Sequence, residues 1–326
     1  MRKVLSVVGA RPQFIKAAPV SRALRRKFHE VLVHTGQHYN ADMSDVFFRD
    51  LDLPEPDVHL GVGSGTHAWQ TGEMMVRLEK VLLEERPDVV LVYGDTNSTL
   101  AGALVASKLT VPLAHVEAGL RSYNRSMPEE INRVLTDRVS QFLFCPTQRA
   151  VENLRREGIE EGVYRVGDVM LDAARQFSQL ADERVDILER LGLREKEYVL
   201  VTVHRAANTD DPGRLRAIVE ALLRIQTLVV FPIHPRTEKA LTQFGLREEL
   251  REAPHVFDLS PVSYLENLQL ERAAAKILTD SGGIQKEAYF FGIPCITLRE
   301  ETEWVETVED GWNVLVGADT NRILDA

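Results

Sequence analysis

Short apolar runs rich in β-branched side chains punctuate the first half of the chain at Val4–Val8, Val31–Val33, Val89–Tyr93, Val111–Val116 and Phe142–Cys145. Helix-period stretches separate them, and strands alternating with helices predict a parallel sheet. The runs are apolar throughout rather than alternating, as expected of strands covered by helices on both faces. The pattern restarts at Tyr198–Val203 and continues through Leu228–Ile233, Val256–Phe257, Ile277–Leu278 and Cys295–Leu298. Two doubly wound α/β sheets are therefore expected. Val163–Asp168 lies between the halves and leads into polar, helix-forming sequence over Asp172–Arg194, which places the boundary near Gly167 and the domains at 1–166 and 167–326. Leu51–Gly65, with Pro54, Pro56 and three glycines, reads as a long loop.

At 326 residues the chain is long enough for two self-sufficient cores. With 39 Lys plus Arg against 49 Asp plus Glu, its net charge of −10 disfavours a general nucleic-acid binder and requires any anionic ligand to be met locally. No apolar run approaches the roughly 18 residues of a membrane span, and Met1-Arg2-Lys3 leads into a strand rather than a secretory signal, so a cytoplasmic protein is expected. Cys145 and Cys295 sit far apart in strand-like segments, as buried thiols rather than a disulfide or zinc pair.

In open α/β sheets ligands gather at the carboxyl ends of the strands, and the chain carries its chemistry there. Gly9-Ala10-Arg11-Pro12-Gln13-Phe14-Ile15-Lys16 places two cations near a helix start, where they oppose the helix dipole and could hold a diphosphate or could simply be solvated. Asp95 follows a strand in Gly94-Asp95-Thr96 and could also serve only as a helix cap. Glu117 ends the next strand in His115-Val116-Glu117-Ala118-Gly119-Leu120-Arg121, and a structural salt bridge would explain it equally well. Glu129 and Glu130 open a helix after Pro128, where acids also favour the helix dipole.

In the second half, His204-Arg205 and His234-Pro235-Arg236 end successive strands. The strongest local signal is Asp280-Ser281-Gly282-Gly283-Ile284-Gln285-Lys286-Glu287, where a small-residue turn lets backbone N–H groups at a helix start approach an anion. Glu287, one turn on, could accept two ribose hydroxyls. His34 and His38 straddle a strand end and do not make a metal pair, and Gly61–Gly65 reads as a flexible loop. No GxGxxG, GxSxG or HExxH motif is present.

Taken in this order, these motifs resemble the non-hydrolysing UDP-N-acetylglucosamine 2-epimerases over nearly the whole chain. The resemblance implies a glycosyltransferase-B-like architecture of two Rossmann-like domains facing a central cleft, acid/base residues in the first and UDP in the second. It implies that Asp95, Glu117 and Glu129 are acid and base groups, with His204 also at the reacting centre. Arg11, Lys16 and His204 would contact the diphosphate or its sugar side, Ser281, Gly282 and Gly283 would cradle phosphate, and Glu287 would hold the ribose. The implied reaction interconverts UDP-GlcNAc and UDP-ManNAc by loss of UDP to a 2-acetamidoglucal and re-addition. It is redox-neutral and calls for no cofactor or metal. The resemblance also implies a homodimer acting on a UDP-sugar, without nucleic acid or membrane partners.

Some positions depart from the family pattern. Trp304 stands where an arginine is usual, and Val262 and Asn267 replace residues that usually frame the uracil. Gly36-Gln37-His38-Tyr39-Asn40 lacks the run associated with an allosteric substrate site. Gly63-Ser64-Gly65-Thr66-His67, His204-Arg205-Ala206-Ala207-Asn208 and Glu303-Trp304-Val305-Glu306 look more like the branch of UDP-2,3-diacetamido-2,3-dideoxyglucuronate 2-epimerases. That substrate, or nucleotide-sugar binding without catalysis, is the alternative. The chain stops at Ala326, before the family's C-terminal crossover helices.

Overall fold

The computed structural model describes residues 1–37 and 51–326; His38, Tyr39 and Asn40 of the Gly36–Asn40 loop lie outside them. Contacts divide the chain into Met1–Ala173 and Ala174–Ala326, a division that falls inside the helix Val169–Arg184.

The first unit is a seven-stranded parallel sheet. Its strands are β1 (Lys3–Val8), β2 (His29–His34), β3 (Val58–His59), β4 (Val89–Tyr93), β5 (Leu113–Val116), β6 (Phe142–Cys145) and β7 (Val163–Arg165), in the order β3-β2-β1-β4-β5-β6-β7. Leu5, Val7, Val31, Val33, Val90 and Val92 point to one face, where they pack with Met74, Leu78 and Leu82 of the helix His67–Glu85. The order reverses direction between β1 and β4, so the turns after these two strands part to opposite faces and leave a crevice.

The second unit repeats the device with six parallel strands: β8 (Tyr198–Thr202), β9 (Leu228–Pro232), β10 (Val256–Leu259), β11 (Lys276–Thr279), β12 (Cys295–Thr297) and β13 (Asn313–Leu315), ordered β10-β9-β8-β11-β12-β13. Val199, Val201, Val229 and Phe231 pack against Leu215, Ile218 and Leu222 on one face, while Tyr198, Leu200 and Val230 pack with Leu270 and Ala288 on the other. Alternate side chains thus fill both faces, which is why the strands read as continuous apolar runs. Here the reversal lies between β8 and β11.

The two-sheet α/β reading is present, with additions at the edges. Leu51–Gly65 is not all loop: Val58 and His59 pair with Val33 and His34 as β3. Val163–Arg165 is the edge strand β7, and β13 closes the second sheet. These strands are short and partly exposed, so no apolar run announces them. Among the described residues no helix is long and apolar enough to cross a membrane. Cys145 and Cys295 are buried free thiols, each pushed up to about 12, above all by burial.

Candidate functional site

After β1 the chain enters the helix Arg11–Leu24 through Ala10, which has no side-chain oxygen to cap it. Gln13 does the work instead. Its carboxamide accepts from the backbone N–H of Gly9 (2.9 Å) and Ala10 (3.1 Å) and donates to Tyr93 O (3.0 Å), tying the turn after β1 to the end of β4. One turn into the helix, Lys16 forms a buried ion pair with Glu117 at the end of β5. Gly94, after β4, has φ +61°, and a Cβ there would lie 3.2 Å from Lys16 Nζ and 3.3 Å from Glu117 Oε2. Only glycine admits both that conformation and that approach. Glu117 itself has φ +73°, a costly conformation for a non-glycine residue that the surrounding contacts must hold in place.

Asp95 is not the helix cap. Thr96 caps the helix Asn97–Lys108 through its hydroxyl, and the Asp95 carboxylate is left to pair with Arg133. Arg133 is buried and also binds Glu130 (2.8 Å), while Asn132 Nδ2 donates to Asp95 O (2.9 Å). The two acids that open the helix Pro128–Val139 have separate tasks. Glu130 accepts from Ser122 N and Oγ (both 2.9 Å) and Tyr123 N (3.0 Å), which fixes the preceding loop. Glu129 is half-buried in the same first turn.

Behind this edge lies a network whose histidine, aspartate and arginine are buried. His115 Nδ1 meets Asp137 Oδ1 and Nε2 meets the Gly94 carbonyl, both at 2.7 Å. Asp137 also accepts from Gly119 N (3.1 Å) and Arg121 Nη1 (2.7 Å), and Arg121 makes a two-pronged pair with Glu157 (2.7 and 2.8 Å). The turns bearing Asp95 and Glu117 are therefore braced by one histidine–aspartate–arginine chain.

The electrostatics follow from burial and from an excess of acid. Burial raises the Glu117 pKa; Lys16 opposes this, but Asp168 and Asp95 add to it, and the net direction is up. Burial alone would lower Lys16, yet the Glu117, Asp95 and Asp168 carboxylates outweigh it and raise its pKa. Both shifts have one origin: several carboxylates surround one ammonium, so the cluster holds its protons tightly.

In the second unit the turns after β8 and β11 are joined by Asp280. Its buried carboxylate accepts from His204 N (3.1 Å), Arg205 N (2.9 Å) and Asn208 Nδ2 (3.0 Å), with His204 Nδ1 at 3.6 Å. His204 is partly exposed, its ring centroid 5.5 Å from that of His234. Ser281 caps the helix Gly282–Phe291, its hydroxyl 3.5 Å from Ile284 N. The backbone of Gly282 and Gly283 forms the first turn, where helix N–H groups favour an anion. A Cβ at Gly282 would meet Glu303 Oε1 at 2.5 Å. Glu287 is buried and accepts the Tyr264 hydroxyl (2.6 Å). Trp304 is buried with the Lys286 ammonium 4.4 Å from its ring centroid, and Asn267 donates to Glu271.

The structure thus gathers Arg11, Lys16, Asp95, Glu117 and Glu129 around the carboxyl edge of the first sheet, and His204, Ser281, Gly282, Gly283 and Glu287 around that of the second. Sequence reasoning missed Arg133 and Asp168. Arg133 stands one helical turn from Glu130, the only local hint of its role. Asp280 was visible within its motif but not as the clamp it is. His34 is structural: Nδ1 accepts from Gly36 N (2.9 Å) and its ring stacks on Phe14 (5.1 Å).

A family model described as UDP-N-acetylglucosamine 2-epimerase matches residues 22–326. A UDP-N-acetylglucosamine 2-epimerase homolog from Methanococcus maripaludis is 54% identical over 324 residues, covering 99% of this chain and 91% of the relative. The UDP-2,3-diacetamido-2,3-dideoxy-D-glucuronate 2-epimerase of Pseudomonas aeruginosa is 52% identical, again over 99% of this chain and 91% of its own. The crystal structure of Methanocaldococcus jannaschii UDP-GlcNAc 2-epimerase in complex with UDP-GlcNAc and UDP matches with a TM-score of 0.92 at 47% identity, covering 100% of this chain and 91% of that one.

Proposed function

Because the chain belongs to the UDP-N-acetylglucosamine 2-epimerase family, we propose that it is a non-hydrolysing UDP-sugar 2-epimerase interconverting UDP-GlcNAc and UDP-ManNAc. The observation that carries this is the buried Lys16–Glu117 pair with Asp95 beside it at the β1/β4 switch point. The C2 proton of an N-acetylhexosamine has no adjacent carbonyl to stabilise a carbanion. Direct removal and return is therefore prohibitively slow, and UDP is expelled with that proton to leave a 2-acetamidoglucal. Re-addition of UDP with protonation on the opposite face inverts C2.

This chemistry needs carboxyl groups that can hold and give protons, the roles we assign to Asp95, Glu117 and Glu129. It also needs positive partners for the departing diphosphate, assigned to Arg11, Lys16 and His204 with the backbone of Ser281, Gly282 and Gly283. Glu287 holds the ribose. No electrons are exchanged, so the residues named suffice without a redox cofactor. We further propose a cytoplasmic homodimer; sedimentation at working concentration tests the dimer, and fractionation of the producing cells tests the location.

Incubating the protein with UDP-GlcNAc in D2O and following C2 by NMR tests the activity. Appearance of UDP-ManNAc with deuterium at C2 is expected; neither epimer nor exchange would overturn it for this substrate. UDP-2,3-diacetamido-2,3-dideoxyglucuronate is the second reading, favoured by the 52% identity to an enzyme of that name and by the Glu303-Trp304-Val305-Glu306 segment. A larger kcat/KM for that sugar in a parallel assay would establish it. Thermal stabilisation by UDP with no turnover of either sugar would identify a binding module instead.

A further inference from the structure

Asp168 sits in the segment that leaves the edge strand β7, just after Gly167 (φ +88°). Locally it is a helix cap: Oδ1 accepts from Met170 N (2.8 Å) and its carbonyl from Leu171 N (3.0 Å), starting the helix Val169–Arg184. A cap needs only solvent beyond it, and this one faces something else. Its second oxygen, Oδ2, is buried, and the residue shares with Glu117 the wall of a cavity of about 340 Å³ otherwise formed mainly by apolar side chains such as Val20, Leu91, Val116 and Phe144. Such walls screen charge poorly, so a carboxylate there acts on its neighbours more strongly than a surface cap would.

The groups facing Glu117 come from three directions. Lys16 reaches it from the helix Arg11–Leu24; Asp95, itself held by Arg133, from the turn after β4; Asp168, with Asp172 further along the same wall, from the segment after β7. Asp168 bears on both members of the ion pair, strengthening proton binding at Lys16 and at Glu117. Glu117, Asp95 and Asp168 thus bring three carboxyl groups to bear on one ammonium.

We propose that Asp168 is a positioning residue of the acid cluster: fixed by the helix it caps, its carboxylate keeps a proton on the Lys16–Glu117 pair and so preserves the acid that the elimination uses. This rests on the epimerase reading above. Asp168 touches no reacting atom. It acts through Glu117.

Asp168→Asn separates the charge from the cap, because asparagine caps helices as well as aspartate does. Asp168→Ser is a second uncharged cap. In each variant the pH limb at which kcat/KM falls as the acid loses its proton should move down by about one pH unit, with kcat/KM about tenfold lower on that limb. The melting temperature should stay close to that of the parent chain. A limb that does not move in either variant, in an enzyme that turns over UDP-GlcNAc, would overturn the proposal. So would a limb that moves only in the variant that also melts early, since that marks a structural role. A parent chain with neither epimerisation nor C2 exchange would instead refute the reading beneath it.

Discussion

Replacing Asp137 by asparagine tests whether the buried brace behind the candidate site holds the turns that bear Asp95 and Glu117. The carboxylate is fully buried and accepts from His115 Nδ1 (2.7 Å), Gly119 N (3.1 Å) and Arg121 Nη1 (2.7 Å). Asparagine offers one oxygen, and its NH2 group must face at least one of those donors. Removing one partner of a buried pair costs about 3–5 kcal/mol. Arg121 keeps Glu157, whose side chain is 30% exposed, which points to the lower end, about 3 kcal/mol. With a urea slope of about 2 kcal/mol/M, the unfolding midpoint should fall by about 1.5 M.

The loss should depend on pH in a defined sense. Burial alone would raise the Asp137 pKa, but the His115 hydrogen bond and charge, joined by Arg121, outweigh it and hold the carboxyl below its usual range. A depressed carboxylate contributes stability above its unfolded value, about 4, and loses it as pH falls through the folded value. Parent and variant should therefore differ fully at neutral pH and converge only in acid below about pH 4. Turnover should fall as well, because His115 loses the partner that orients it toward the Gly94 carbonyl. Urea unfolding followed by circular dichroism at neutral and acid pH is the assay. A neutral-pH midpoint shift under about 0.5 M, or a loss that does not shrink in acid, would refute the reasoning.

Asp95→Asn should lower kcat by about 10²–10⁴ while leaving UDP affinity and melting temperature nearly unchanged, since the cap belongs to Thr96 and the carboxylate is partly exposed; a fully active variant would reduce Asp95 to an anchor for Arg133. Gly282→Ala should weaken UDP binding by about tenfold in calorimetry, because its Cβ would strike Glu303 Oε1 at the helix start where phosphate is proposed to sit. Asp280→Asn should destabilise the chain by about 2–3 kcal/mol in urea unfolding and weaken UDP binding together, as the His204 and Arg205 N–H groups lose their charged acceptor; intact UDP affinity would show that the clamp does not shape the pocket.

Sequence alone carried the strands, the two-sheet organisation and the residues worth watching, because a strand buried on both faces must be continuously apolar and polar groups that follow it stand out. It carried the glycines too, since Gly94 and Gly282 stand where a side chain would collide with a neighbour. The edge strands β3, β7 and β13 were not legible, for a strand that buries little needs no hydrophobic signature.

Tertiary structure alone decided which polar groups cap a helix, hold a loop or pair with one another. From its local segment Asp95 reads equally as a cap, but Thr96 fills that role, and Glu130 holds the Ser122–Tyr123 turn. Asp168 lies 51 positions from Glu117, and Lys16 lies 101 positions from it. No spacing rule joins such residues. Strand order does: the reversal between β1 and β4, and between β8 and β11, determines which loop ends converge, and the free energy of a charge depends on what lies within a few ångströms of it, not on its place along the chain.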